Sequence, residues 1–223
     1  MIKISLFAMG AVLSAGTAAS ADFVSFEGNV NEVGDYTVIQ MFAVYDTADI
    51  ALNVFNAQIV TSDAGGFNQS DVQIGAGDTW APNASLDIPG FADSATDSYV
   101  TIGYGVGAEA ATNGTSLDPG FGTGLGGTIP SGAGWFNGNP PAEQGVSGYA
   151  GGIDGISGYA VMVGQFVWTG AASSFCFDAK MGSNAGAGSE VDFGEDTFLC
   201  FCPTPGALAL LGLGGFTTRR RRG

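Results

Sequence analysis

Through the middle of the chain, hydrophobic and polar positions alternate over short runs, and no stretch keeps the three-to-four spacing of an amphipathic helix. β-Branched and aromatic residues concentrate in 22–27, 36–45, 52–61, 98–106, 159–169, 174–179 and 196–202, which predicts seven strands. The runs 36–45 and 159–168 are apolar on both faces of the pleat, so they are expected at the centre of a sheet. Residues 174–179 alternate, with Phe175 and Phe177 on one face and Ser174 and Asp178 on the other. Short strands separated by Gly, Asn, Asp and Pro turns predict an all-β fold, an antiparallel β-sandwich of jelly-roll or Ig-like type. Residues 103–158 differ in texture. Dense glycine, Pro119, Pro130, Pro140, Pro141 and the sequence GWFNGNPP around Trp135 predict a long Gly/Pro-rich loop region, where binding surfaces are commonly built.

The two ends break this pattern, and they do so in opposite ways. At the start, one base, Lys3, precedes the apolar run 6–13, and Ala19-Ser20-Ala21 supplies the small residues that a signal peptidase requires. Residues 1–21 therefore read as a signal peptide, cleaved before Asp22. At the other end, Pro203-Thr204-Pro205-Gly206 is followed by ALALLGLGGF over 207–216 and by Arg219, Arg220, Arg221 and Arg222. The prolines stop any preceding element and leave an extended segment. An apolar run with no polar face is expected to form a short helix in lipid. Ten residues rise only about 15 Å against a hydrocarbon core of about 30 Å, which makes a marginal span. The four arginines hold the end on the cytoplasmic side by the positive-inside rule, leaving the body outside. The chain thus divides into a signal peptide (1–21), a β-sandwich body (22–202) and a tail (203–223).

This tail resembles the PEP-CTERM sorting signal of bacterial exported proteins, which consists of a Pro-Glu-Pro motif, a short transmembrane helix and an Arg-rich terminus. Thr204 stands where the family has Glu. The resemblance covers 203–223 alone and implies recognition by an exosortase, a membrane-embedded cysteine transpeptidase that cuts near the motif. It further implies transient anchoring in the inner membrane, release to the cell surface or matrix, and a cell that makes exopolysaccharide. The body resembles no family on its residues.

Charge then narrows what the body can do. All 21 acids lie between Asp22 and Asp196, where Lys180 is the one base. Such a surface repels phosphate backbones, so nucleic acid is not an expected partner. The chain has no histidine, which excludes Ser-His-Asp and His-metal chemistry. Glycoside hydrolysis needs two carboxylates and survives that filter, but no pair stands out, and the body is expected to be non-enzymatic. No cofactor is expected. Calcium is the candidate metal, from the oxygen ligands near Asp63, Asp71, Asp154 and Asp192 to Asp196, although no EF-hand spacing is present. The N-x-S/T triplets at Asn68, Asn83 and Asn113 carry no information in a bacterial context.

Two further expectations concern individual residues. Three cysteines in an exported chain allow one disulfide, with Cys176 pairing to Cys200 or Cys202 more readily than these two neighbours to each other; three free cysteines is the alternative. Trp80 and Trp135, in loop-like contexts, are candidate stacking platforms for a polysaccharide, whereas Trp168 ends an apolar strand and is expected in the core. The leading expectation is a secreted surface or matrix protein; a carbohydrate-binding module is the alternative.

Overall fold

The computed structural model describes residues 22–70, 80–81, 93–103, 113–121, 126–139, 143–149, 155–186 and 188–199. The signal peptide and the tail with its expected helix lie outside the described residues. Within them, no helix is long and apolar enough to cross a membrane.

The body is a sandwich of two antiparallel sheets. β1 (Phe23–Val33) and β2 (Tyr36–Tyr45) form a hairpin closed by a two-residue turn, in which Gly34 takes the positive φ that a side chain resists. The hairpin continues into β8 (Tyr159–Trp168), whose far edge carries β4 (Tyr99–Val100) and, further along, β7 (Gly148–Tyr149). This first sheet therefore runs β1-β2-β8-β4, with β7 paired to β8 off that path. The second runs β10-β9-β3-β6-β5, from β10 (Asp192–Phe198) through β9 (Phe175–Asn184), β3 (Ile50–Thr61) and β6 (Ala133–Asn137) to β5 (Thr115–Leu117).

The strands expected at 22–27, 36–45, 52–61, 159–169 and 174–179 are present, and the two doubly apolar runs became β2 and β8, both flanked on either side. The run 98–106 yields only the two-residue β4 and 196–202 only the end of β10, with 104–106 and 200–202 outside the described residues. β1 extends to Val33, beyond the expected end at Glu27, because its hairpin partner supplies backbone pairing that the polar sequence GNVNE does not advertise. The Gly/Pro-rich stretch departs from expectation. Rather than one long loop, it contributes β5, β6 and β7 to the two sheets. GWFN is strand: Trp135 pairs with Val54 and Phe136 with Asn53 on β3.

Between the sheets lies a core dominated by aromatic rings. Phe67 sits edge-on to Trp80, Trp168 and Phe175, and Trp168 stacks on Phe175 with centroids 5.3 Å apart and planes at 14°. Phe26 of β1 meets Phe177 of β9 across the two layers at 4.8 Å. Offset and edge-on pairs of this kind add roughly 0.5–1.5 kcal/mol each beyond their burial.

The sheets are also locked along one seam, where β1 faces β10. The Phe26 amide donates to Asp196 Oδ2 at 2.8 Å. Two glycines receive rings from the opposite strand: a Cβ on Gly194 would lie 2.3 Å from Phe23 Cδ1, and one on Gly28 would lie 2.6 Å from Phe198 Cζ. The seam thus needs glycine for space rather than for backbone conformation.

Candidate functional site

The tryptophans decide first what the site is not. Trp80 and Trp135 are each 1% exposed, inside the same core cluster as Trp168. The Trp135 indole N–H donates to the Thr101 carbonyl at 2.9 Å, and its ring lies 6.0 Å from Phe121. This corrects the expectation of stacking platforms: a ring with no accessible face cannot receive a sugar. The reason is the alternation of β6, where Ala133 and Trp135 point inward while Phe136 points out.

A groove of about 620 Å³ lies on the outer face of the first sheet, between β2 and β8 on its floor and the segments around Ser94 and Gln144 on its walls. Its floor is partly apolar, since Phe42, Ala160 and Met162 of its lining belong to a small apolar cluster with Val44 and Ile156. Its amides are committed to the fold. Gln165 donates to the Ser94 and Asp97 carbonyls at 3.0 and 2.8 Å and accepts from Gln40 at 3.2 Å. Gln144 donates to the Ile102 carbonyl at 2.8 Å and accepts from the Gly114 amide at 2.6 Å. Gln165 therefore pins the Ser94 segment to the sheet and Gln144 ties its own segment to those of Ile102 and Gly114, and sequence spacing alone does not reveal this because the partners are 30 to 125 residues away. Among the described residues, Glu143 is the one carboxylate in the lining, so these residues bring no facing pair of acids to the groove.

Those of the acidic residues weighed for calcium that the structure describes are engaged at separate places in the fold. Asp71 and Asp154 lie outside the described residues. Asp63 closes a turn, accepting from the Gly65 amide at 3.0 Å and from Thr169, and these bonds hold its carboxyl below its ordinary value. Along β10, Glu195 pairs with Lys180 at 3.0 Å, while Asp196 turns to the Phe26 amide. No group of three or more metal-ligating side chains is assembled among the described residues.

One acid is unusual. Asp49, between β2 and β3, is buried and accepts from the Ile50 amide at 2.8 Å, while its own amide donates to Ser147 Oγ at 2.7 Å. Burial pushes its carboxyl above the ordinary 3.8, with Ser183 and the Ile50 amide pulling the other way and Asp192 and Asp46 adding to the rise. Burial likewise pushes the neighbouring Tyr45 hydroxyl up, and the Asp49 charge adds to it.

Cys176, on β9, is disulfide-bonded. The β9–β10 register ends with Phe198 opposite Phe177, so Cys176 stands one rung beyond the last pair. Cys200 and Cys202, the chain's other two cysteines, lie outside the described residues, as do the sorting motif Pro203 to Gly206 and the arginines 219–222. At the other end, the Asp22 amide nitrogen donates to the Asp46 carboxylate at 3.1 Å.

No family model, curated protein or solved structure matches this chain.

Proposed function

We propose that this chain is an exported, non-enzymatic protein of the bacterial cell surface or extracellular matrix. Its signal peptide is removed before Asp22, and its tail is handed to an exosortase-type transpeptidase. The observation that carries this reading is the order of parts in the tail: Pro203-Thr204-Pro205, ten apolar residues, then Arg219 to Arg222. That order suits a transient anchor with the body held outside. The bounds of the sandwich support the same reading, because the strands run from Phe23 to Phe198 and both proposed cuts fall outside them. So does the contact at Asp22: cleavage there would turn an amide donor into an ammonium already 3.1 Å from the Asp46 carboxylate.

The test is fractionation of the producing cell. With an exosortase-type enzyme present, the chain is expected at the surface or in the medium. In a strain lacking that enzyme, it is expected to accumulate in the inner membrane with its arginines attached. Equal surface display in both strains would remove the sorting reading.

A further inference from the structure

We propose that the outer face of the second sheet binds a neutral, hydroxyl-rich polysaccharide, with Phe193, Phe55 and Phe136 as its stacking surfaces. Strand register sets three successive rungs across this face. The first joins Phe193, Gly182, Asn53, Phe136 and Ser116 over all five strands. The second joins Glu195, Lys180 and Phe55, and the third joins Thr197, Asp178 and Gln58. Residues paired across a rung share one face of the sheet, and the alternate residues Val54, Trp135, Ala179 and Met181 fill the core. The aromatic side chains of these rungs therefore point to solvent: Phe193 is 69% and Phe136 43% exposed.

The detail of the first rung favours a flat ligand. Gly182 has no side chain, and the space above it is shared by Asn53 and Phe193: a Cβ there would lie 2.2 Å from Asn53 Oδ1 and 3.4 Å from Phe193 Cε1. The Asn53 amide crosses that gap toward the β9 backbone. Phe55 meets Phe193 edge-on, with centroids 5.8 Å apart at 84°. From β10 to β6 is three strand steps, roughly 14 Å at about 4.8 Å each, which is room for a short run of sugar rings. Beside this aromatic row lies a depression of about 470 Å³, whose polar lining is Asn56, Gln58 and Thr197 with Lys180 and the carboxylates Asp178, Glu195 and Asp196. Asn56 sits at a register break in β3 with φ 52, a conformation that asparagine tolerates, and its side chain is exposed.

Electrostatics selects the class of occupant. Lys180 is neutralised by Glu195 at 3.0 Å, and a body with 21 acids repels an anionic polymer. Of the other two carboxylates in the lining, Asp178 accepts from Thr197 at 3.3 Å and Asp196 accepts from the Phe26 amide at 2.8 Å, so each is already engaged within the fold. The remaining groups are amides, hydroxyls and ring faces, which match the alternating O–H and C–H surfaces of a neutral sugar. A second copy of the chain is a poorer occupant. Two phenylalanines of roughly 200 Å² each, exposed to 69% and 43%, offer on the order of 220 Å², against about 800 Å² per partner in a stable interface. This binding reading does not depend on how the tail is processed.

The test uses the full chain in affinity electrophoresis through gels containing dextran, a β-glucan or galactomannan, with alginate as the anionic control. At least one neutral polymer is expected to retard the protein and alginate is not. Phe193→Ala is expected to weaken retardation about tenfold, the order of one lost stacking contact, and Phe193→Trp to restore it. The thermal midpoint of Phe193→Ala should stay close to the parent, because the ring is mostly in water. Absence of retardation by every neutral polymer, retardation by alginate alone, or a dimer in light scattering that Phe193→Ala dissolves would each overturn the proposal.

Discussion

Replacing Trp135 by Ala separates a core tryptophan from a surface one. The indole is 1% exposed and contacts Phe121. Removing a side chain that buries up to about 250 Å² forfeits, at about 25 cal/mol per Å², at most about 6 kcal/mol of transfer free energy. That figure is an upper bound because the unfolded chain is itself partly collapsed, and measured losses for Trp→Ala in cores run about 3–5 kcal/mol. The substitution also strips the Thr101 carbonyl of the donor that reaches it at 2.9 Å, adding about 1 kcal/mol. Against a total stability of about 5–15 kcal/mol, a loss of about 4–6 kcal/mol removes from roughly a quarter to all of it. Trp135→Phe keeps most of the apolar volume and loses the hydrogen bond, so it should cost less than half as much. Urea unfolding of the oxidised chain, followed by far-ultraviolet circular dichroism, reads both. A Trp135→Ala midpoint equivalent to a loss under about 1 kcal/mol would refute the reasoning, because it would put the indole outside the core.

Other consequences follow from the seam, the buried acid and the disulfide. Gly194→Ala drives a methyl into the Phe23 ring, which would be 2.3 Å away, and is expected to lower stability by about 1–3 kcal/mol in the same urea assay. Asp49→Asn should raise stability at neutral pH. The folded carboxyl titrates above its ordinary 3.8, so the parent is penalised increasingly as pH rises through the folded value, and the gain should vanish below about pH 3.8. Asp63→Asn should do the reverse: its folded carboxyl titrates low, so the parent's advantage is present above the ordinary value and lost as pH falls through the folded one. Thiol titration of the denatured, unreduced chain should find one free cysteine of three. Reduction should lower stability by about 3 kcal/mol for a loop of this size.

The strands that could be read from the sequence are those whose own residues carry the signal. In β2, β8 and β9, β-branched and aromatic side chains fill the inward positions, so composition and periodicity agree. β5, β6 and β7 were hidden because their order comes from neighbours. β6 has only Trp135 as a large inward side chain, flanked by glycine and alanine, and it is held by pairing to Val54 and Asn53 on β3. The same tryptophan carried the expected sugar platform for the same reason: a glycine-rich context reads as loop, and loops expose their aromatic rings. The stacking surface proposed here, Phe193, Phe55 and Phe136, draws one residue from each of three strands up to 138 residues apart, and only register brings them to one face. The glycines at 28 and 194 were equally silent, since each serves a ring on the opposite sheet.

Export followed by sorting leaves its mark on both ends of the mature chain, which intact-mass and terminal-peptide spectrometry of the protein recovered from the cell surface or medium reads. The predicted result is a chain that begins at Asp22 and ends near Pro203 to Gly206, without the apolar run and without Arg219 to Arg222. A surface form that extends through Gly223 would contradict it.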